Sequence, residues 1–111
     1  MKDEVLAHLH DVLHAARAVK QFVASQTFES YCTDELVRSA VERKFEIIGE
    51  ALTRINRHDP ELLGQIRNHR DIISFRNILV HAYDAIDNRI VWSVIEEDLE
   101  NLIEDVSRLL G

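Results

Sequence analysis

Apolar residues recur at intervals of three and four along four long segments of this chain, and this spacing constrains its fold more than any other feature. Residues at such intervals fall on one face of an α-helix. The first of these stripes consists of Val5, Leu9, Val12, Ala16, Val19 and Val23. No segment shows the alternation of apolar and polar residues that is typical of β-strands. The pattern therefore predicts an all-α fold, an antiparallel four-helix bundle with one additional short helix.

Residues suited to helix ends divide the chain into these elements. Thr33 or Asp34 can cap the second helix, Asp87 the last one, and Asp59 a short helix in which Pro60 occupies the first position, where its missing N–H loses no hydrogen bond. We expect helices over residues 3–24, 34–58, 60–66, 69–83 and 88–110. The polar segment Ser25–Thr33 is predicted to be a loop held in place by its aromatic residues, Phe28 and Tyr31.

The size of the chain and its composition limit its class. With 111 residues it can form one hydrophobic core but not two, so we expect a single domain over residues 1–111. No apolar stretch has the length of a signal peptide core or approaches the roughly 20 residues that span a bilayer. Cys32 is the only cysteine, as is typical of reducing compartments. We expect a cytoplasmic protein that does not enter a membrane.

The charge is distributed unevenly along the chain. A net charge of −7 argues against a general nucleic-acid coat, which needs many cations to neutralise phosphates. Residues 54–89, however, contain six arginines and five acidic residues, a balance of +1, together with three of the six histidines. Residues 1–53 have six cations against nine acids, and residues 90–111 have one against six. RNA, if it binds, is expected to contact the middle segment.

Four polar side chains of different chemistry lie near the end of the helix predicted over residues 69–83. These are the guanidinium of Arg76, the carboxamide of Asn77, the imidazole of His81 and the phenol of Tyr83. An arginine presents a planar, permanently charged fork that matches phosphate oxygens, and a histidine transfers protons readily near neutral pH. The group is therefore suited to holding and cutting an RNA backbone.

The spacing within this group raises a geometric problem. Arg76 and His81 lie about 140° apart on an ideal helix, too far for both to hold one small group. Either the helix distorts near His81, or two copies of the chain pair and each contributes residues to a shared cleft. The flank that carries Ile73 and Val80 is the predicted dimer interface, because two bulky apolar residues would otherwise face solvent.

The motif R-x4-H-x-Y, formed by Arg76, His81 and Tyr83, and the preceding phrase Glu46-Ile47-Ile48-Gly49-Glu50-Ala51 resemble those of the HepT-like toxins of the HEPN superfamily. The likeness covers nearly the whole chain. It implies a homodimeric endoribonuclease that needs neither metal nor cofactor, the toxin of a bacterial type VII toxin–antitoxin pair. The partner implied is a minimal nucleotidyltransferase antitoxin that neutralises the toxin by transferring AMP from ATP to the motif tyrosine.

The resemblance also implies a role for each motif residue. Arg76 would orient the scissile phosphate and stabilise the charge that develops on it. His81 would be the general base or acid. Asn77 would orient the phosphate or His81, and Tyr83 would contact the RNA, a tRNA or an mRNA. AMP on Tyr83 would place bulk and negative charge across the cleft.

Other interpretations of the chain remain open. It could be a noncatalytic accessory or substrate-binding subunit of a nucleotidyltransferase, or a purely structural dimer. Glu46 and Glu50 are read as a solvated or ion-paired face with Arg43 and Arg54. Gly49, inside a helix, is read as a point of close approach by a neighbouring helix.

A metal site is the alternative interpretation of the histidines in the first helix. His10 and His14 lie four residues apart and could clasp a metal, with Asp11 between them. The sequence places no third ligand beside them, and we expect no metal there.

Overall fold

A computed structural model describes residues 1–82 and 86–111. Tyr83, Asp84 and Ala85 lie outside the described residues. The described part of the chain contains helices and no strand, which confirms the all-α prediction. The helices are α1 (Asp3–Phe22), α2 (Phe28–Cys32), α3 (Glu35–His58), α4 (Pro60–Leu63), α5 (His69–His81), α6 (Asn88–Glu97) and α7 (Leu99–Leu110).

The long helix α3 packs against both α1 and α5, and α7 packs against α1. α1 runs antiparallel to α3, since Lys2 Nζ at its start donates to the carbonyl of His58 at the end of α3 (3.5 Å). The predicted stripes supply the core, because their side chains leave water when the helices pack. Fully buried stripe residues include Val5, Leu9, Val12, Val41, Ile48, Leu52, Ile55, Val91 and Val106. None of the helices in the described ranges is long and apolar enough to cross a membrane.

Three of the predicted helix caps are confirmed. The side chain of Asp34 accepts a hydrogen bond from the backbone N–H of Val37 (3.1 Å), and that of Asp59 accepts one from Leu62 (3.1 Å). Asp87 caps α6 through the N–H of Arg89 (2.9 Å). Each cap satisfies a backbone donor that has no partner within its own helix.

The segment of residues 25–33 was wrongly predicted to be a loop, because it contains the short helix α2. Thr27 and Ser30 form a capping box at its start, in which each side chain accepts a hydrogen bond from the other residue's backbone N–H (3.1 and 2.8 Å). Five residues are too few to show a helical repeat in the sequence. Within the ranges that the structure describes, the bundle therefore has two short helices besides its long ones, where one was predicted.

The expected anchoring of this segment by aromatic residues is confirmed. The rings of Phe28 and Tyr31 lie against that of Trp92 on α6, with centroid distances of 6.2 and 5.3 Å. Tyr31 is fully buried, and this burial raises the pKa of its phenol. The aromatic contacts attach α2 to the start of the last helical segment.

The short helix predicted to reach Ile66 ends earlier, at Leu63. The backbone N–H of Arg67 donates to the carboxylate of Asp105 on α7 (2.9 Å) instead of continuing a helical ladder. Asn68, the next residue, has a left-handed backbone with φ of 61°. A contact distant in sequence thus decides where the chain turns into α5.

The last predicted helix is divided at Asp98 into α6 and α7. The Asp98 carboxylate accepts a hydrogen bond from Asn68 Nδ2 (2.9 Å), and burial raises the pKa of this carboxyl group. The hydrogen bond between Asn68 and Asp98 and the contact between Arg67 and Asp105 both attach the last helical segment to the start of α5, the helix that carries the motif.

Candidate functional site

A surface cleft of about 430 Å³ lies where α1, α3 and α5 meet. Its charged lining is mixed. Three cations and three anions face it, namely Arg43, Arg54, Arg76, Asp11, Glu46 and Glu50. Of the predicted catalytic residues, only Arg76 lines the cleft, where it contacts residues 46–51 of α3.

Arg76 is held in this cleft by two side chains. Its Nη2 donates to Oε2 of Glu50 at 2.9 Å, and its Nη1 donates to Oδ1 of Asn77 at 3.1 Å. Its Nε is buried and has no hydrogen-bond partner within the described residues. Because the fork is planar, fixing both of its ends sets its orientation, and each Nη keeps a second hydrogen for another acceptor. An anion such as a phosphate could take those hydrogens.

Gly49 explains how Arg76 comes so close to α3. A Cβ atom at this position would overlap with Cβ and Cγ of the arginine. The predicted close approach of a neighbouring helix is therefore confirmed, and the approaching residue is the motif arginine. Gly49 lets the stem of Arg76 lie against α3 with its guanidinium next to Glu50.

Glu50 has a second role that the sequence did not reveal. The predicted ion pairs of this face are present, since Arg43 lies 3.5 Å from Glu46 and Arg54 lies 3.2 Å from Glu50. Glu50 also binds Arg76, and this contact was missed because it crosses two helices. The only hint in the sequence was the glycine that precedes Glu50.

His81 lies elsewhere on α5. It is the last residue of the helix, it is exposed, and it does not line the cleft of Arg76. Five residues of helix separate the two by about 7.5 Å along the axis as well as by the angle noted above. α5 stays helical through His81, and Ala82 is extended, with φ of −84° and ψ of 96°. One chain does not bring the two predicted catalytic residues together.

The predicted interface flank is only partly exposed in a single chain. Ile73 is half-buried and packs against the core, whereas Val80 is 40% exposed. Ile78, which the sequence reading did not single out, is 51% exposed on the other side of α5. Val80 and Ile78 thus lie on either side of the polar residues Asn77 and His81, which are both exposed.

A second cleft, of about 390 Å³, adjoins the end of α5. Its lining includes Ala82 and Ile86, which flank the three residues outside the described ranges, and Arg38 and Glu42 of α3. Burial raises the pKa of the Glu42 carboxyl group, and the charge of Arg38 opposes this rise. The predicted contact residue and modification site, Tyr83, lies outside the described residues, so its predicted roles stay predictions.

The histidines of α1 are spread over its surface. His10 and His14 are exposed, while His8 lines the first cleft with its Nδ1 4.0 Å from Asp11. Among residues 1–82 and 86–111, no three histidine, cysteine, aspartate or glutamate side chains gather where they could hold a metal ion.

Comparison with known proteins gives one consistent result. The family described as "Ribonuclease HepT-like" matches residues 12–109. A protein of Methanocaldococcus jannaschii named "Putative RNase" is 32% identical over 105 residues, 95% of each chain. The "Probable ribonuclease HepT" of Thermococcus cleftensis is 32% identical over 102 residues, 92% of each chain. A "Putative RNase" of Caldanaerobacter subterraneus is 26% identical over 103 residues, 93% of this chain and 91% of its own. No solved structure matches significantly.

Proposed function

This chain belongs to the HepT-like ribonuclease family, and on that basis we propose that it is a metal-independent endoribonuclease, the toxin of a toxin–antitoxin pair. The proposal depends on one observation. The Arg76 guanidinium is fixed between Glu50 and Asn77 at an open cleft, and each of its Nη atoms still has a hydrogen to donate. Such a fork can bind a phosphodiester through two oxygens. The relatives' names agree with this substrate class.

The proposed reaction uses the ribose 2′-hydroxyl of the RNA as nucleophile. His81, as general base, takes its proton while the 2′-oxygen attacks phosphorus. The bond to the 5′-oxygen breaks, and a general acid returns a proton to that leaving oxygen. Arg76 stabilises the negative charge that develops on the phosphoryl oxygens, so that the positive charge comes from the protein itself. The products are a 2′,3′-cyclic phosphate and a 5′-hydroxyl.

The direct test is to incubate the purified protein with labelled tRNA and mRNA in EDTA. Cleavage by the unmodified wild-type protein is expected, since no step draws on a divalent cation. Intact RNA would contradict the nuclease proposal and would favour a noncatalytic subunit that accompanies a nucleotidyltransferase.

We further propose that two chains pair over the outer face of α5. A single chain leaves His81 outside the cleft of Arg76 and leaves Val80 and Ile78 exposed, so that pairing can bring the histidine of one subunit toward the arginine of the other. The interface would be isologous, with the same residues contributed by both copies.

Val80→Glu should convert the homodimer to a monomer. A carboxylate buried between two copies would be desolvated and would face its own symmetry mate, at a cost of several kcal/mol. The measurement is molar mass by light scattering on a size-exclusion column. Leu36→Glu is the control, because Leu36 is 81% exposed on α3 and, unlike Val80, does not line the first cleft, and it should leave the dimer intact. A dimer that survives Val80→Glu would place the interface elsewhere.

The proposed partner is a minimal nucleotidyltransferase antitoxin that transfers AMP from ATP to Tyr83. The phenol oxygen would attack the α-phosphorus, with release of pyrophosphate, and the added adenylate would repel the RNA backbone. We expect wild-type protein mixed with this enzyme and ATP to gain mass in units of AMP and to lose cleavage.

Tyr83→Phe should abolish the AMP mass shift measured by intact-protein mass spectrometry, because it removes the accepting oxygen. The chain has two tyrosines, so Tyr31→Phe provides the matched control. Tyr31 is fully buried and should not be an acceptor, so its variant should keep the shift. Detection of AMP on the Tyr83→Phe protein would show that another residue accepts the modification.

A further inference from the structure

The carboxylate of Glu50 contacts two arginines, one on each oxygen. Arg76 Nη2 lies 2.9 Å from Oε2, and Arg54 Nε lies 3.2 Å from Oε1. Both guanidinium groups therefore lie beside the same carboxylate in the cleft. One comes from α5 and the other from the next turn of α3. The family resemblance assigns a role to Arg76 but none to Arg54.

The charges around this carboxylate do not cancel. The single negative charge of Glu50 faces the positive charges of Arg54 and Arg76. Of the other charged residues that line the cleft, Arg43 is paired with Glu46 at 3.5 Å, and Asp11 lies 4.0 Å from His8. The contact with Glu50 engages Nε of Arg54 and leaves its two Nη groups able to donate elsewhere. The Arg54 side chain is 52% exposed at the cleft, compared with 29% for Arg76. The inner arginine is fixed, while the outer one can reach toward a ligand.

We propose that Arg54 forms a second phosphate-binding subsite, for an RNA phosphate next to the one held by Arg76, and that Glu50 sets the spacing between the two guanidinium groups. This inference rests on the proposed ribonuclease function. A polynucleotide suits the arrangement, because its phosphates follow one another along a flexible strand and two adjacent arginines can each take one.

The test measures RNA affinity against salt concentration in a chain that cannot cleave. His81→Ala protein is titrated with a fluorescently labelled single-stranded RNA in EDTA over a series of KCl concentrations, with and without Arg54→Gln. Loss of one phosphate contact should lower the slope of log affinity against log salt by about 0.7. At low salt the RNA should bind roughly tenfold more weakly, as expected for a lost hydrogen bond to a charged group.

Arg57→Gln in the same background is the matched control. Arg57 is an exposed arginine three residues further along α3 and does not line the cleft, so its loss should leave the slope nearly unchanged. If Arg54→Gln and Arg57→Gln give equal slopes and affinities while wild-type protein cleaves RNA, the subsite is wrong and the ribonuclease proposal stands. If the wild-type protein neither cleaves RNA nor binds it, both are wrong.

Discussion

RNA cleavage should fall by roughly 10²- to 10³-fold in Arg76→Ala and by roughly 10²- to 10⁴-fold in His81→Ala, the ranges found when an electrostatic stabiliser or a general acid–base group is removed. The arginine matters because it is held in one orientation by Glu50 and Asn77 before any RNA arrives. The histidine matters because it lies exposed at the end of α5, where a ribose hydroxyl can reach its ring.

Initial rates on one labelled RNA in EDTA measure both effects. Arg76→Lys is the more discriminating variant, since a lysine keeps the charge but not the planar fork, and most of the activity should be lost. Arg70→Ala is the control, because Arg70 is exposed on the same helix and does not line the cleft. Equal rates for wild type and His81→Ala would refute the catalytic assignment.

Mixed dimers can separate catalysis across the interface from catalysis within one chain. In a dimer of one Arg76→Ala subunit and one His81→Ala subunit, a site built from both chains leaves one intact pair, Arg76 of one subunit with His81 of the other. Heterodimers can be purified after co-expression of the two variants with different tags. They should recover up to about half the wild-type rate, because one of the two symmetric sites is intact. Inactive heterodimers would instead place both residues in one chain.

The periodic parts of the fold could be predicted from the sequence. Long apolar stripes determine their own helices, and the caps at Asp34, Asp59 and Asp87 depend only on the residues that follow them. The helix α2 was missed because it is too short to show a repeat, whereas the errors near Ile66 and Asp98 involve partners distant in sequence. The division at Asp98 involves a hydrogen bond from Asn68, thirty residues away, which no local pattern encodes.

The same distinction applies to the site. The pair of Arg54 and Glu50 is an i, i+4 contact and was predicted, whereas the pair of Arg76 and Glu50 spans 26 residues and depends on how α3 and α5 align. The motif indicated which residues matter but not which neighbours hold them. The pairing of two chains and the role of Tyr83 remain predictions.

Asp105→Ala should lower the free energy of unfolding by about 1–3 kcal/mol, as expected when a buried charged acceptor is removed and its hydrogen-bond donors are left unpaired. Asp105 is 1% exposed on α7. It accepts hydrogen bonds from the backbone N–H of Arg67 (2.9 Å), from that residue's Nη2 (2.8 Å) and from Arg108 Nη1 (3.1 Å). Removing the carboxylate leaves the partly buried backbone N–H of Arg67 unpaired and removes the contact that fixes the turn before α5.

Urea denaturation at a fixed protein concentration measures the loss, since the stability of the proposed dimer would depend on concentration. Glu104→Ala is the control. Its carboxylate lies beside Asp105, 3.5 Å from the same arginine, but is 69% exposed, so its removal should cost less than about 1 kcal/mol. Equal losses for the two variants would mean that Asp105 acts only as a surface charge.

The pH dependence identifies the charge on Asp105 as the cause. Hydrogen bonds from Arg67, more than any other contact, lower the pKa of the Asp105 carboxyl group from 3.8 to about 2 in the folded chain. A folded-state pKa below the unfolded one stabilises the fold above pH 3.8, and this stabilisation is lost as the pH falls toward 2. The stability gap between wild type and Asp105→Asn should therefore be constant above about pH 5 and should narrow below pH 4. A gap that does not narrow would show that the charge of Asp105 is not what stabilises the fold, because asparagine keeps the volume of the side chain but replaces one acceptor oxygen with an NH2 group that cannot accept.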